Sequence, residues 1–283
     1  MSTGDREGSE GFLREKSYLS LFYRALRTEL GVWTDPIMRI LTLIPARYAS
    51  TRFPGKPLVL IQGKPMILHV VERALLVTPE VAVATDDQRI YDVVTQAGYR
   101  AILTTGDHSS GTSRCLEAYE RLGQEADVLI NLQGDEPFIA EEHIRQLVRA
   151  FDDPETQIAT LAQPFPPTAT NEELANPNAV KVVRASSGRA LYFSRSVIPY
   201  LRGVEGAWAA QHEYLKHIGL YAFRTSLLDR LGSLPASPLE QGESLEQLRW
   251  LSAGLHIQVQ LTDEPTVGID TPEDLARISQ LHP

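Results

Sequence analysis

Residues 40–58 read ILTLIPARYASTRFPGKPL. Ile40 to Ile44 is a short apolar run, the pattern of a strand buried on both faces. The next fourteen residues, 45–58, have the opposite character. Arg47, Arg52 and Lys56 place three cations within ten residues, separated by small residues, Gly and Pro. Gly and Pro fix an irregular loop, and small side chains let backbone N–H groups approach a ligand. Arginine grips phosphate oxygens with two parallel donors, and lysine acts as a point charge. The loop suits a polyphosphate. It is neither a P-loop nor a GxGxxG turn, since Gly55 and Lys56 run into Pro57 rather than Ser or Thr. Taken alone, the stretch also reads as a solvated basic turn.

Outward from this loop, strands and helices alternate. Met66 to Val77 has helical periodicity, Val81 to Ala84 reads as a strand, and Asp87 to Ala97 as a helix. Arg100 to Leu103, Thr112 to Leu122, Val128 to Leu132 and Glu141 to Phe151 repeat the alternation. Such a pattern predicts an α/β fold with a mostly parallel sheet covered on both faces. Ligands then bind beyond the carboxyl ends of the strands. The loops after Ile44, Ala84, Leu103 and Leu132 are the candidate site. From Ile158 to Phe223 strands succeed one another with few helices, which predicts a mixed or antiparallel insertion closing over the ligand. Ser237 to Ser252 reads as one helix and His256 to Leu261 as a strand. Thr271, Pro272 and Asp274 form a capping-box pattern, which places Asp270 at a strand-to-helix junction.

The domain spans residues 38–283. Residues 1–37 carry no chemical motif. Phe12 to Leu30 reads as an amphipathic helix for a partner or membrane surface, or as part of a poorly ordered extension translated from an upstream start. No apolar run approaches the roughly 20 residues that span a bilayer, and the N-terminus has no apolar leader core. Cys115 is the only cysteine of the 283 residues, so no intrachain disulfide forms, which fits a reducing cytoplasm. The net charge of −9 leaves no basic stripe for nucleic acid. An acidic protein that binds an anion gathers its cations locally or recruits a metal.

Two acidic motifs answer that need. LQGDEP (residues 132–137) places Asp135 at a strand end beside a glycine, and GIDTPEDL (residues 268–275) offers Asp270. Mg²⁺ usually takes one or two carboxylates with phosphate oxygens and water. Asp270 equally reads as a helix cap.

With these stand DHSSGTSR (107–114), NPNAVKVV (176–183), ALYFSR (190–195), HIGLY (217–221) and LEQLR (245–249). In this order the motifs resemble the 3-deoxy-manno-octulosonate (KDO) cytidylyltransferases, from Met38 to the C-terminus. The resemblance implies a Rossmann-like nucleotide-diphospho-sugar transferase fold, a homodimer, and CMP transfer from CTP to KDO for lipopolysaccharide synthesis. It implies that Arg47, Arg52 and Lys56 hold the triphosphate, that Gln133 and the loop of His108, Ser110, Gly111 and Thr112 contact cytidine, and that Asp135 and Asp270 bind Mg²⁺. Arg195, His217, Tyr221, Glu246 and Gln247 would line the sugar pocket. Without the resemblance, Tyr221 reads as core, His217 as a structural histidine, and Glu246 and Gln247 as surface. Ser113 stands where an acidic residue often succeeds the SGT. Three rival readings remain: a CMP-sugar synthetase for sialic acid or amino-KDO, an inactive sugar-nucleotide sensor, and a nucleic-acid module.

Overall fold

The computed structural model describes residues 38–49, 53–105, 108–123, 125–266, 268–269, 271 and 273–275. The reading of Phe12 to Leu30 lies outside them. Strand β1 (Ile40–Ala46) pairs in parallel with β4 (Glu80–Thr85) and with β6 (Val128–Asn131), and β4 pairs in parallel with β5 (Arg100–Leu103). Three helices cross between them: α1 (Met66–Leu75), α2 (Gln88–Gln96) and α3 (Gly111–Leu122). Each lays apolar residues on the sheet, such as Ile67, Val70 and Val71 of α1, Ile90 and Val94 of α2, and Cys115 and Ala118 of α3. A small hairpin, β2 (Leu60–Ile61) with β3 (Lys64–Pro65), comes directly after the basic loop.

Beyond β6 come α4 (Glu141–Arg149), β7 (Ile158–Pro164), the short α5 (Asn171–Ala175), β8 (Lys181–Arg184), β9 (Ala190–Ser194) and β10 (Leu215–Arg224). The chain closes through α6 (Leu228–Ser233), α7 (Pro238–Glu243), α8 (Gln247–Ser252) and β11 (Ile257–Leu261). The sheet order is β11-β7-β10-β6-β1-β4-β5. Strand β10 is antiparallel to both β6 and β7, whereas β11 is parallel to β7.

This corrects one expectation. Strands β7 and β10 lie inside the central sheet and are not part of an insertion; only the β8–β9 hairpin branches from it, through β10. The burial explains why. Ile158 to Ala162 is buried at every position, as a strand covered on both faces must be. A second correction concerns residues 237–252. They form two helices, because Ser244 takes a left-handed conformation (φ 52°) that an α-helix cannot continue. Among the described residues, no helix is long and apolar enough to cross a membrane.

Aromatic rings cluster where α8 meets β10. Trp250 is buried and packs edge-on against Tyr221 and Phe223, with ring centroids 4.9 and 5.3 Å away. Strand β10 carries a bulge between Ile218 and Tyr221. Thr160 of β7 fills it, its Oγ1 lying 3.1 Å from the Ile218 carbonyl and 2.8 Å from that of Leu220.

Candidate active site

Because β1, β4, β5 and β6 are parallel, their carboxyl ends share one edge of the sheet, and the motif loops meet there. Arg47, Lys56, His108, Ser110, Gly111, Gln133 and Asp135 line one cavity of about 210 Å³. The loop after β1 doubles back on itself, with Gly55 N–H donating to the Tyr48 carbonyl at 2.9 Å. Gly55 sits at φ 73°, and a Cβ there would lie 3.0 Å from the Tyr48 ring. Arg89 stacks on the same ring, its guanidinium carbon 3.3 Å from the Tyr48 centroid. The turn presents Lys56 in a short 3₁₀ helix, Lys56–Leu58.

Lys56 Nζ donates to Asp135 Oδ2 at 2.8 Å, with the lysine side chain 13% and the aspartate 37% exposed. The first basic loop and the LQGDEP turn are therefore in direct contact. Their approach needs Gly134, where a Cβ would meet the Pro45 carbonyl oxygen at 2.9 Å. Arg52 and Asp270 lie outside the described residues. The residue before Asp270 is placed: Ile269 N–H donates to the Asp135 carbonyl at 3.0 Å. Thr271 and Asp274 make the reciprocal bonds of the expected capping box.

Beside Asp135, Glu136 buries one carboxylate oxygen with no hydrogen-bond partner. Burial first, then the adjacent Asp135 charge, raises its carboxyl to about 7. Among the described residues no three His, Cys, Asp or Glu side chains cluster as a metal cage. A hard cation needs less: one or two carboxylates with phosphate and water oxygens. Asp135, which lines the cavity and meets Lys56 through one oxygen, fits that donor set.

Arg114, the last residue of DHSSGTSR, also lines the cavity, which the sequence reading did not assign. It is buried and held by Thr104 at 2.6 Å and by Asp86, from the loop after β4, at 2.8 Å. The loop after β4 thus contributes through Arg114. Thr112 does not line the cavity; it is buried one residue into α3.

The residues expected to hold a sugar form a second group that touches the first. Glu246 accepts hydrogen bonds from Ser110 Oγ at 2.8 Å and Thr112 Oγ1 at 2.7 Å. Asn131 donates to the same Thr112 hydroxyl at 3.3 Å, and Gln133 donates to Asn131 at 3.2 Å. His217 Nε2 lies 3.0 Å from both Tyr221 Oη and Thr160 Oγ1. Burial holds the His217 imidazole down to about 3. Burial, with the Glu246 charge added, raises the Tyr221 hydroxyl well above its ordinary value. Gln247 is buried, and its Nε2 has no hydrogen-bond partner. A buried amide without a partner is costly.

Arg195 is placed differently. Its guanidinium donates to the carbonyls of Glu243 at 2.6 Å, Ser244 at 3.2 Å and Pro177 at 2.9 Å. It ties off the C-terminal carbonyls of α7, where the helix breaks, and so holds the turn that leads to Glu246 and Gln247. Fully buried Lys181 in turn donates to the Arg195 carbonyl at 2.7 Å. Nothing in the sequence pattern signals Glu243, whose carboxylate accepts from Ser194 and from the Arg195 backbone.

Comparison with known proteins gives a consistent answer. A family model described as cytidylyltransferase matches residues 41–257. The chain is 53% identical to a 3-deoxy-manno-octulosonate cytidylyltransferase of Porphyromonas gingivalis, over 84% of this chain and 94% of the relative. It is 47% identical to one of Escherichia coli, over 84% and 94%. A solved CMP:2-keto-3-deoxy-manno-octonic acid synthetase in complex with CTP superposes with a TM-score of 0.79 at 46% identity, covering 86% of this chain and 98% of that one.

Proposed function

The chain belongs to the 3-deoxy-manno-octulosonate cytidylyltransferase family, and from this we infer that it moves the CMP unit of CTP onto the anomeric hydroxyl of KDO and releases pyrophosphate. The observation that carries the reading is the contact of Lys56 with Asp135 in the lining of the cavity at the sheet's carboxyl edge.

In this reading the hydroxyl oxygen of KDO attacks the α-phosphorus in line. The bond from that phosphorus to the β-phosphate oxygen breaks, pyrophosphate leaves, and the hydroxyl proton is lost to solvent. The attacking oxygen is hindered and sits beside a carboxylate. The barrier is therefore lowered mainly by positioning and charge neutralisation. Arg47, Arg52 and Lys56 offset the triphosphate charge, and Lys56, fixed by Asp135, offsets charge on the departing pyrophosphate. Gln133 and the cavity-lining residues His108, Ser110 and Gly111 hold cytidine, with Thr112 supporting them from within α3. Asp135 and Asp270 would hold Mg²⁺, which when bound supplies further neutralisation of phosphate charge and lowers the pKa of a coordinated hydroxyl. His217, Tyr221, Glu246 and Gln247 bind the sugar, on a turn that Arg195 secures. The unpartnered amide of Gln247 supports a polyhydroxylated ligand at this end.

We place the reaction in the cytoplasm, where CTP is available, and propose a homodimer; light scattering on the purified chain tests the latter. Incubation with CTP, Mg²⁺ and KDO, with and without chelator, tests the activity. Pyrophosphate and a CMP adduct are expected only with all three components. Pyrophosphate release with sialic acid or amino-KDO but not KDO would redirect the assignment to another CMP-sugar.

A further inference from the structure

Glu117 lies on α3, outside the sets assigned above, yet its carboxylate gathers three hydrogen-bond donors and a cation. Oε1 accepts from the Thr105 N–H at 2.7 Å and from the Thr105 hydroxyl at 2.9 Å, and pairs with the Arg121 guanidinium at 2.7 Å. Oε2 accepts from His108 Nε2 at 2.5 Å. Both oxygens of the carboxylate are thereby engaged within the protein. Arg121 also donates to the Leu103 carbonyl at 2.7 Å and to Thr105 Oγ1 at 3.0 Å.

These bonds join two places. Thr105 lies just past the carboxyl end of β5, and His108 lines the cavity. His108 Nδ1 lies 3.2 Å from Ser113 Oγ, so both of its ring nitrogens are engaged within the protein. Burial tends to raise the Glu117 carboxyl. The bonds from Thr105, then the bond from His108 and the charge of Arg121, overcome this and hold it at about 2. The anchor is thus charged throughout the neutral range.

We propose that Glu117 is a positioning residue for nucleotide binding: through Thr105 and His108 it sets one wall of the cavity before a pyrimidine nucleoside triphosphate enters. The inference rests on the reading of that cavity as the CTP site. A wall already in place lowers the ordering cost of binding. Glu117 reaches no reacting atom, so its loss affects nucleotide affinity and leaves the chemical step alone.

The test uses the full chain with Mg²⁺. CTP binding is measured by calorimetry without KDO, and kcat and both KM values by steady-state assay. Glu117→Gln is expected to weaken CTP binding roughly tenfold, the loss of one charge-assisted hydrogen bond. The KM for KDO and kcat at saturating CTP stay within about twofold, and Tm shifts little. Glu120→Gln, an exposed carboxylate on the same helix, changes none of these. His108→Asn also weakens CTP binding, and the double variant loses no more than the worse single one, since the two act through one contact. Wild-type affinity in Glu117→Gln overturns the proposal, as do additive losses or a rise in both KM values that tracks a fall in Tm. If Glu117→Gln does not fold, Thr105→Ala and His108→Asn carry the same readouts, and wild-type CTP affinity in both overturns it. A wild-type chain that binds no CTP overturns the cavity reading itself, whereas equal CTP binding by wild type and Glu117→Gln overturns this inference alone.

Discussion

Lys56 Nζ stands 2.8 Å from Asp135 Oδ2 although 79 residues separate them in the chain. The lysine comes from the loop after β1 and the aspartate from the turn after β6, and the pairing of those neighbouring strands brings them together. The ion pair is only partly exposed, so solvent screens it less than a surface pair. Removing one charge-stabilising group from an active site typically costs on the order of 10²–10³ in rate. Lys56→Ala and Asp135→Asn should each lose about that much kcat while keeping wild-type circular dichroism. Near-normal kcat in either folded variant would remove the role given to it.

The same contact bears on the metal. Asp135 lines the cavity and meets Lys56 through Oδ2. Activity should vanish with chelator and return on adding Mg²⁺. In Asp135→Asn the Mg²⁺ concentration for half-maximal residual rate should rise roughly tenfold or more, since a neutral amide is a poorer ligand for a hard cation. An unchanged Mg²⁺ dependence would move the metal off this residue.

Much of this site is legible in the sequence, for a specific reason. Alternating strands and helices imply parallel strands, parallel strands imply one shared carboxyl edge, and Arg47, Lys56, His108 and Asp135 all come after strand ends. What periodicity does not carry is strand order. Ile218 to Phe223 reads as a strand of a mixed or antiparallel insertion, but only the structure places it in the middle of the central sheet. Nor does it carry long-range polar partners. Glu117 and Glu243 look like ordinary helical surface carboxylates, and apart from Arg121, four residues from Glu117, their partners lie 9 to 12 and 48 to 49 residues away. The break at Ser244 is hidden in the sequence because Gly242 and Ser244 are tolerated, at a modest cost, inside a short helix.

Glu246 joins the two halves of the site through the hydroxyls of Ser110 and Thr112. A residue that only touched sugar would alter the KM for KDO alone. Glu246→Ala should raise the KM for both substrates, with about a tenfold effect on CTP from two lost charge-assisted bonds, one of them to a buried threonine. Steady-state titration of each substrate at saturation of the other checks this. A change confined to the KDO side would show that the bridge has no functional consequence.

His217 gives a pH prediction. Burial holds its imidazole at about 3, against an ordinary value near 6.5. Between those values the unfolded chain carries a proton that the folded chain does not. Stability therefore rises with pH across that window, and the contribution is lost as pH falls from about 6.5 towards 3. The slope from one proton is at most about 1.4 kcal/mol per pH unit. His217→Gln should lose less stability on acidification than the wild type. Urea unfolding midpoints taken from pH 4 to 7.5 would show the two curves converging, or crossing, on the acid side; parallel curves would mean that His217 takes up its proton in the fold as readily as in the unfolded chain.

Gly134 tests how tightly the two loops must approach. A methyl group at this position would lie 2.9 Å from the Pro45 carbonyl oxygen and 3.5 to 3.6 Å from side-chain atoms of Ile67 and Ile44. The first neighbour is backbone at the end of β1, so it cannot swing away as a side chain would. Either the LQGDEP turn or the end of β1 must shift, at a cost of about 1–3 kcal/mol for an overpacked position. Because that shift separates Lys56 from Asp135, it should reach the chemistry as well as the fold. Gly134→Ala is therefore expected to lower Tm by several degrees and to lower kcat by more than a purely thermal loss of folded protein explains, at a temperature where the variant is fully folded. Full kcat in the folded variant would show that the site tolerates a wider gap between its first loop and the LQGDEP turn than these distances imply.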